Sequence, residues 1–577
     1  MIKFNPEEVP FSIFGSYMCF SVLPKEWGYN GLVMRTMRNA PGMRELLHIF
    51  LIKNGLRIDY RVDARPWVCS LVTNDGQLKI TFANKNCVRI RGESLSLKFE
   101  SVPLRGQYAF AVSECSWILN SPPTATQYLI TLLRGQTEIN CNLEIDDLKR
   151  DGKKHKLVER KVAFTFAPDE FGIFELALEE FITTPNKTGL KENFQKIEQS
   201  AKFEWMRWLD TMPAVSKRYL KTAELAMYVN YESVVAPYGN LSRNTLLMSK
   251  NWMTSCWSWD HCFNAIALAY KNPDLAWDQL NIFFDLQDDF GCLPDAVSAT
   301  SIIWNFSKPP IYGWTFSRMM EINKKFKEKK FISYIFPKLA KWTIWWLKNR
   351  DFNSDGLCEY HHGNDSGWDN ASVFDLGFPV TAPDLATYLI IQMELLSKLA
   401  IILGKKSESK KWQINSDKML KKMIEKLWDG NQFQTKNAST GEISARGDSL
   451  INYVPILIGD KLPAQIRNKI ASELKIGGRF VTKFGPATEN PRSKCYVDNG
   501  YWRGPVWAPI VLLITDGLRR SGFQNQAKVI AKNFCEMCRT KMTFAENYDP
   551  LNGKPLCDKA YTWSSSVFLI LAHELNQ

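Results

Sequence analysis

Two carboxylates in this sequence stand where a carboxyl group can do acid–base work. Asp369 follows Gly367-Trp368 and Glu546 precedes Asn547-Tyr548, each in a turn dense in glycine and aromatic rings. Such a pair suits cleavage of a glycosidic bond with inversion: one protonated carboxyl releases the leaving oxygen, and one ionised carboxylate activates water on the opposite face of the sugar. That chemistry needs the two groups roughly 6.5 to 9.5 Å apart, a distance no sequence states. The apolar neighbour Trp368 is expected to raise the pKa of Asp369 towards that of a usable acid.

The connections that carry these residues have an unusual composition for loops. Trp257-Ser258-Trp259-Asp260, Asn364-Asp365-Ser366-Gly367-Trp368-Asp369-Asn370 and Tyr501-Trp502-Arg503-Gly504-Pro505-Val506-Trp507 concentrate rings, glycines and carboxylates, as does Ala545-Glu546-Asn547-Tyr548-Asp549-Pro550. Ring faces stack on the C–H faces of pyranoses, and a few convergent polar groups in an aromatic pocket orient a ligand. The bland alternative is that these rings are core at the starts of helices. Asp260 either binds sugar hydroxyls or caps a helix beginning at His261. Asp365, four residues before Asp369, either orients it or is an ordinary loop carboxylate.

Other chemistry-bearing residues lead nowhere. His361-His362 has no HExxH or facial-triad context, so no metal is expected. Cys535 and Cys538 form a CxxC within a helical run without a second pair. Arg446-Gly447-Asp448-Ser449 reads as a helix start with Asp448 or Ser449 as cap.

The elements that must position these residues fall into two halves. From about Leu56 to Phe181 apolar residues alternate with period two, as in Leu78-Ile80-Phe82, Leu95-Leu97-Phe99 and Phe174-Leu176-Leu178, which predicts antiparallel strands packed as a β-sandwich. Asn74-Asp75-Gly76 marks a hairpin, since Asp-Gly supplies positive φ. After Pro185 the period becomes helical. We assign 1–185 to a β-sandwich domain, 186–213 to a linker helix and 214–577 to an all-helical domain. Leu385, Tyr388, Leu389, Gln392, Leu396, Leu399 and Leu403 trace one helix face, with Asp384 at the favourable end of the dipole and Gly404 past the end. Candidate helices from Val215 onward number about twelve, centred near Leu225, Ala265, Leu280, Met320, Ile344, Ile391, Met419, Tyr453, Ile470, Val511, Val529 and Leu569. Twelve closes six antiparallel hairpins, although helix count alone does not separate a toroid from a solenoid or bundle.

The chain has 577 residues, enough for two domains, and a net charge of +13. Its basic residues are scattered and accompany no nucleic-acid-binding motif, so the excess is read as solvated surface. No stretch of 18 to 20 uninterrupted apolar residues would span a bilayer. The first residues show no secretory pattern, and the 13 cysteines, odd in number and scattered, fit reduced thiols. A cytoplasmic location is expected, with no nucleic acid or membrane partner.

Five stretches in order carry a resemblance: Trp257-Ser258-Trp259-Asp260-His261-Cys262-Phe263, Lys308-Pro309-Pro310-Ile311-Tyr312-Gly313-Trp314, Ser366-Gly367-Trp368-Asp369-Asn370, Tyr501 to Trp507, and Glu546-Asn547-Tyr548-Asp549-Pro550. From about Arg218 to Leu575 the chain resembles glycoside hydrolase family 63. The resemblance implies an (α/α)6 barrel, an inverting α-glycosidase acting on a small carbohydrate, and no cofactor. By matching motifs it places the acid on Asp369 and the base on Glu546, with Trp259, Asp260, Trp314, Tyr501, Trp502, Arg503 and Trp507 around the substrate; Trp257, Asp365 and Trp368, in the same loops, are further expected substrate contacts. Members acting on glucosyl- or mannosylglycerate typically carry Met in place of Trp368 and Glu in place of Asp365, so their glycerate substrate does not carry over with the resemblance and stands only as the alternative to an α-glucoside. An inverting phosphorylase would need an anion pocket in place of Glu546. A binding protein on a degenerate scaffold would have lost one of the carboxylates.

Overall fold

The structure, a computed structural model, describes residues 1–23, 31–38, 45–102, 107–141, 162–443 and 447–577. Among these, the period-two region forms two antiparallel sheets. One orders its strands Met18–Val22, Leu32–Thr36, Glu45–Lys53, Ser96–Ser101, Val162–Ala167 and Gln136–Cys141, with Leu56–Ile58 added beside Glu45–Lys53. The other runs Tyr108–Ser113, Ser116–Ser121, Thr126–Arg134, Ile173–Phe181, Cys87–Glu93, Gln77–Asn84, Val68–Val72 and Arg61–Arg65. Phe20 meets Phe82 edge-on at 6.2 Å and Trp117 meets Phe166 at 6.3 Å between the layers, so the sheets pack face to face as a sandwich.

Two details differ from expectation. Strands begin at Met18, well before Leu56, because Met18–Val22 and Leu32–Thr36 are buried on both faces and show no alternation. Their second face is covered by the helical half: the Arg35 guanidinium donates to the carbonyls of Lys250 and Asn251, and the Tyr17 hydroxyl donates to that of Ala236. Asn74-Asp75-Gly76 does join two strands, yet Gly76 is not left-handed; a Cβ there would lie 2.1 Å from the Glu93 carbonyl oxygen. The left-handed pair is Asn54 (φ 51°) and Gly55 (φ 81°), which turns Glu45–Lys53 into Leu56–Ile58.

Helix α1 (Phe194–Leu209), capped by the Asn193 side chain, buries Phe194, Ile197, Ala201, Trp205 and Trp208 and touches both the sandwich and the next helix. The rest is mainly helical, with four small sheets of two-residue strands in its loops: α2 (Leu220–Ser233), α3 (Asp260–Ala269), α4 (Pro273–Asn281), α5 (Tyr312–Ile322), α6 (Lys329–Asn349), the single turn α7 (Gly363–Ser366), α8 (Pro383–Ile402), α9 (Lys406–Leu427), the 3-10 segment Leu450–Lys461, α10 (Ala464–Glu473), α11 (Ala508–Arg520), α12 (Gln524–Lys541) and α13 (Thr562–Glu574). Contacts run α3 to α5, α5 to α8, α8 to the 3-10 segment, thence to α11, to α13 and back to α3, closing a ring. The remaining long helices pack outside it: α2 on α13, α4 on α3, α6 and α9 on α8, α10 on the 3-10 segment and α12 on α11.

Sequence explains why α8 is inside and α9 outside. Outer α9 buries only Ser409, Trp412, Ser416, Met419, Met423 and Leu427, a single stripe at helical spacing. Inner α8 is buried almost all round, so the face traced by its leucines is only part of its packed surface. It is long and apolar enough to cross a bilayer, with a mean hydropathy of 1.6, but it packs within the helical domain. Asp384 at its start is not a plain dipole anion: burial pushes its carboxyl up to about 7, and it accepts a hydrogen bond from the Tyr360 hydroxyl at 2.9 Å. The helix predicted around Tyr453 is 3-10 rather than α, because Pro455 lacks an N–H and Gly459 (φ 78°) breaks it. Ser449 caps that segment through Ile451 N–H; Arg446 lies outside the described residues.

Candidate active site

The loops preceding the inner helices open at one end of the ring. Trp257, Trp259 and Asp260 lead into α3, Lys308 precedes α5, Tyr501 and Trp502 precede α11, and Tyr561 and Trp563 bracket the start of α13. Together with Asp369, Glu546, Asp295 and Asn364 these residues line one cavity of about 210 Å³.

Glu546 is held from three directions. Its N–H donates to the Asp558 carbonyl at 2.7 Å, its carbonyl accepts from Trp563 Nε1 at 3.2 Å, and its Oε1 accepts from the Tyr501 hydroxyl at 3.0 Å. Tyr548 fixes the turn by donating to the Thr543 carbonyl and accepting from Ala545 N–H. Burial, aided by Asp558 and Asp369, pushes the Glu546 carboxyl up to about 7 against the stabilising Tyr501 bond. The Tyr501 hydroxyl is itself raised, by burial and by the charges of Glu546 and Asp369, and stays a proton donor.

Asp369 follows the turn α7, whose C-cap Gly367 has φ 71°. A Cβ on Gly367 would sit 2.6 Å from the Trp259 ring, and one on Gly363 would overlap the Asp369 carbonyl, so both glycines are required for this approach. Asp369 is half-buried and lines the cavity. Its neighbour Asn370 couples this loop to the opposite one. The Asn370 carboxamide accepts from Trp502 N–H at 2.9 Å and donates to the Gly500 carbonyl at 3.0 Å, straddling Tyr501, which holds φ 62°. A non-glycine residue in that region costs on the order of 1–3 kcal/mol unless its surroundings fix it.

Asp260 is the first residue of α3 and does not cap it; its carboxyl accepts from the Tyr561 hydroxyl at 3.3 Å, and burial, aided by Asp295, pushes it up to about 8. Lys308 Nζ lies 3.3 Å from Asp295 and donates to the Asn364 carbonyl at 2.6 Å. Burial likewise raises Asp295. The floor therefore carries two protonatable carboxyls and one ammonium, a set able to recognise hydroxyls of a neutral sugar.

Five expected substrate contacts are not in the cavity wall. Trp507 stacks behind Trp502 at 3.9 Å, and Trp368 packs on it at 5.1 Å. Trp314 faces the interior of the ring, its Nε1 donating at 2.8 Å to Asp516, a carboxyl held low by Arg318, Arg520 and Arg519 against the cost of burial. Asp365 is buried, accepting from Ser307, from the N–H groups of His361 and His362, and from Arg350, so it builds the loop and does not line the cavity. Arg503 braces the acid loop through the Asn370 carbonyl and Asp375. Conversely, Asp295, Asn364, Tyr561 and Trp563 were not singled out from sequence. Tyr561-Thr562-Trp563 repeats the aromatic-x-aromatic pattern of Trp257-Ser258-Trp259 at another helix start, the one signal that could have found it. Among the described residues no group of three metal-ligating side chains occurs.

Residues 253–564, just over half the chain, match the mannosylglycerate hydrolase MGH1-like glycoside hydrolase domain. Mannosylglycerate hydrolase MGH2 of Selaginella moellendorffii is 22% identical over 393 residues, covering 54% of this chain and 79% of that one. Among solved structures, a family 63 mannosylglycerate hydrolase from Thermus thermophilus in complex with glucose superposes with a TM-score of 0.53 at 20% identity, covering 60% of this chain and 99% of that one. A bacterial glucoamylase complexed with acarbose gives 0.66 at 10% identity over 99% of this chain and 94% of its own, a likeness of fold that includes the sandwich. The chain belongs to glycoside hydrolase family 63, through its mannosylglycerate hydrolase MGH1-like domain, and is a glycoside hydrolase.

Proposed function

We propose that this protein is an inverting α-glycosidase that hydrolyses an α-glucosidic bond in a small oligosaccharide or glucoside, with Asp369 as general acid and Glu546 as general base. The observation that carries the proposal is that both carboxyls line one cavity walled by Trp257, Trp259, Trp502 and Trp563. A base poised near neutrality is what the raised Glu546 carboxyl supplies, and Tyr501 aims it. Asp260, Asp295 and Lys308 would hold the hydroxyls of the departing sugar. We read the closed ring with its outer helices as an (α/α)6 barrel, catalytic over 214–577, with 1–185 a sandwich domain and 186–213 the linker. The location we infer is cytoplasmic.

Sugar release is the test, with a panel of α-glucosides assayed on wild type, Asp369→Asn and Glu546→Gln. Wild-type activity lost by at least about 100-fold in both variants supports the roles, since a positioned acid or base contributes typically 10²–10⁴-fold. Near-full activity in either variant sinks its assignment. Mannosylglycerate, named in the relatives above, belongs in the same panel; selective cleavage of it would replace the α-glucoside reading.

A further inference from the structure

One of the three supports of Glu546 leads out of the helical domain. The carbonyl that accepts its N–H belongs to Asp558, a buried residue whose carboxyl is fixed by uncharged donors: Trp252 N–H to Oδ2 at 3.1 Å, Ala560 N–H to Oδ1 at 3.0 Å and the Asn251 carboxamide to Oδ1 at 3.3 Å. Asn251 and Trp252 are held from the other side by the sandwich. Arg35, on the strand Leu32–Thr36, donates to the carbonyls of Lys250 at 3.2 Å and Asn251 at 2.6 Å and lies over the Trp252 ring at 5.1 Å. The Asn251 carboxamide also donates to the Glu8 carbonyl at 2.7 Å, and Lys250 Nζ donates to Ser12 Oγ at 3.0 Å and to the Ser16 carbonyl at 2.8 Å. Burying a guanidinium and an ammonium is costly unless hydrogen bonds satisfy them, so these two cations fasten residues 250–252 to the sandwich.

We propose that Asp558 is a positioning residue for the base, and that the sandwich, through Arg35 and residues 250–252, holds it there. The inference rests on the assignment of Glu546 as the base. A base must sit within about 0.5 Å of its productive place, and the Asp558 main chain sets where the Glu546 turn lies. The Asp558 carboxylate also brings a second negative charge to the site, which helps to raise the Glu546 carboxyl. Asp369 adds to that charge, Tyr501 opposes it by its hydrogen bond, and Cys557 and Tyr561 also face Glu546. On the sandwich side Glu232 faces Asp558, Arg35 and Lys250; burial brings Glu232 up and Lys250 down to about 8, above the value of about 7 for the base. Lys559, next in the chain, pairs with Glu8 at 3.2 Å.

The experiment records kcat and KM against pH on the best substrate of the panel for wild type, Asp558→Asn, Arg35→Gln, Glu546→Gln and the control Arg89→Gln, with a urea melt for each. Arg89 is likewise a buried arginine of the sandwich, but its guanidinium donates to the carbonyls of Gly189 and Glu192, ahead of α1. Asp558→Asn keeps the main-chain bond and removes the charge, so the base stays ionised to lower pH and the acidic limb of kcat/KM should move down by about one unit. Arg35→Gln should lose kcat about tenfold or more with KM within about twofold, as a misplaced base requires, whereas Arg89→Gln should keep both. A limb that stays in place in folded Asp558→Asn, or equal losses of kcat in Arg35→Gln and Arg89→Gln, overturns the proposal, and the arginine comparison decides it even if Asp558→Asn does not fold. Near-full activity in Glu546→Gln is a different result and defeats the base assignment itself.

Discussion

Replacing Tyr501 by phenylalanine removes one hydroxyl and little else, because the ring's packing on Trp507 at 4.9 Å is kept. That hydroxyl donates to Glu546 Oε1 at 3.0 Å. A hydrogen bond to a charged group is worth about 1.5–3 kcal/mol, and 1.36 kcal/mol corresponds to one pKa unit, so its loss raises the Glu546 carboxyl by at least about one unit. The carboxyl then moves from about 7 towards 8. A base must be ionised, so kcat/KM falls as pH drops through this pKa, and the variant's acidic limb should lie about one unit higher. At pH 7 the ionised fraction falls from about a half to about a tenth, a loss of roughly fivefold that recovers at higher pH. The assay is a kcat/KM profile of both proteins on the best substrate of the panel. A limb that stays in place, or a loss that is the same at every pH, would refute the coupling of Tyr501 to the base.

Asn370→Ala unclasps Trp502 N–H and the Gly500 carbonyl and releases Tyr501 from its left-handed conformation; kcat should fall more than KM changes, with a stability loss of about 1–3 kcal/mol in urea melts. Gly367→Ala places a Cβ against Trp259 at a residue with φ 71°, and activity should drop more than tenfold in protein that still folds, by circular dichroism. Asp384 has a folded pKa raised from 3.8 to about 7, so its contribution to stability is fully present below pH 3.8 and is lost as pH rises through 7. Asp384→Asn removes that titration, flattening the stability curve over this window by about 4 kcal/mol in denaturant titrations. An equally steep variant curve would mean that another buried carboxyl, such as Glu232, dominates.

The twelve helical centres read from periodicity all fall in helical segments, because outer helices such as α9 keep an apolar stripe and inner ones such as α8 a long apolar run, although outer α2 is buried at nearly every position. Alternation found the sandwich between Leu56 and Phe181, but it could not reveal strands whose second face is covered by another domain. Asp369 and Glu546 were legible from their glycine- and aromatic-rich turns, and the structure brings them to one cavity. Motif membership did not separate rings that face the cavity from rings that support them: Trp502 lines it while Trp507, stacked on the same ring, does not. Nor could it see that Asp365 and Arg503 are spent on the loop, since a polar side chain in a motif gives no sign of its partner. Asp295 stayed hidden because its significance comes only from Lys308 across the floor.

The stereochemistry of the first product tests the central claim most directly. Proton NMR of the anomeric region, recorded within the first minutes of cleavage of an α-glucoside, should show β-glucose appearing first and the α-anomer growing only by mutarotation. Initial release of α-glucose would mean retention through a covalent intermediate, and the assignment of Glu546 as the base that activates water would be wrong.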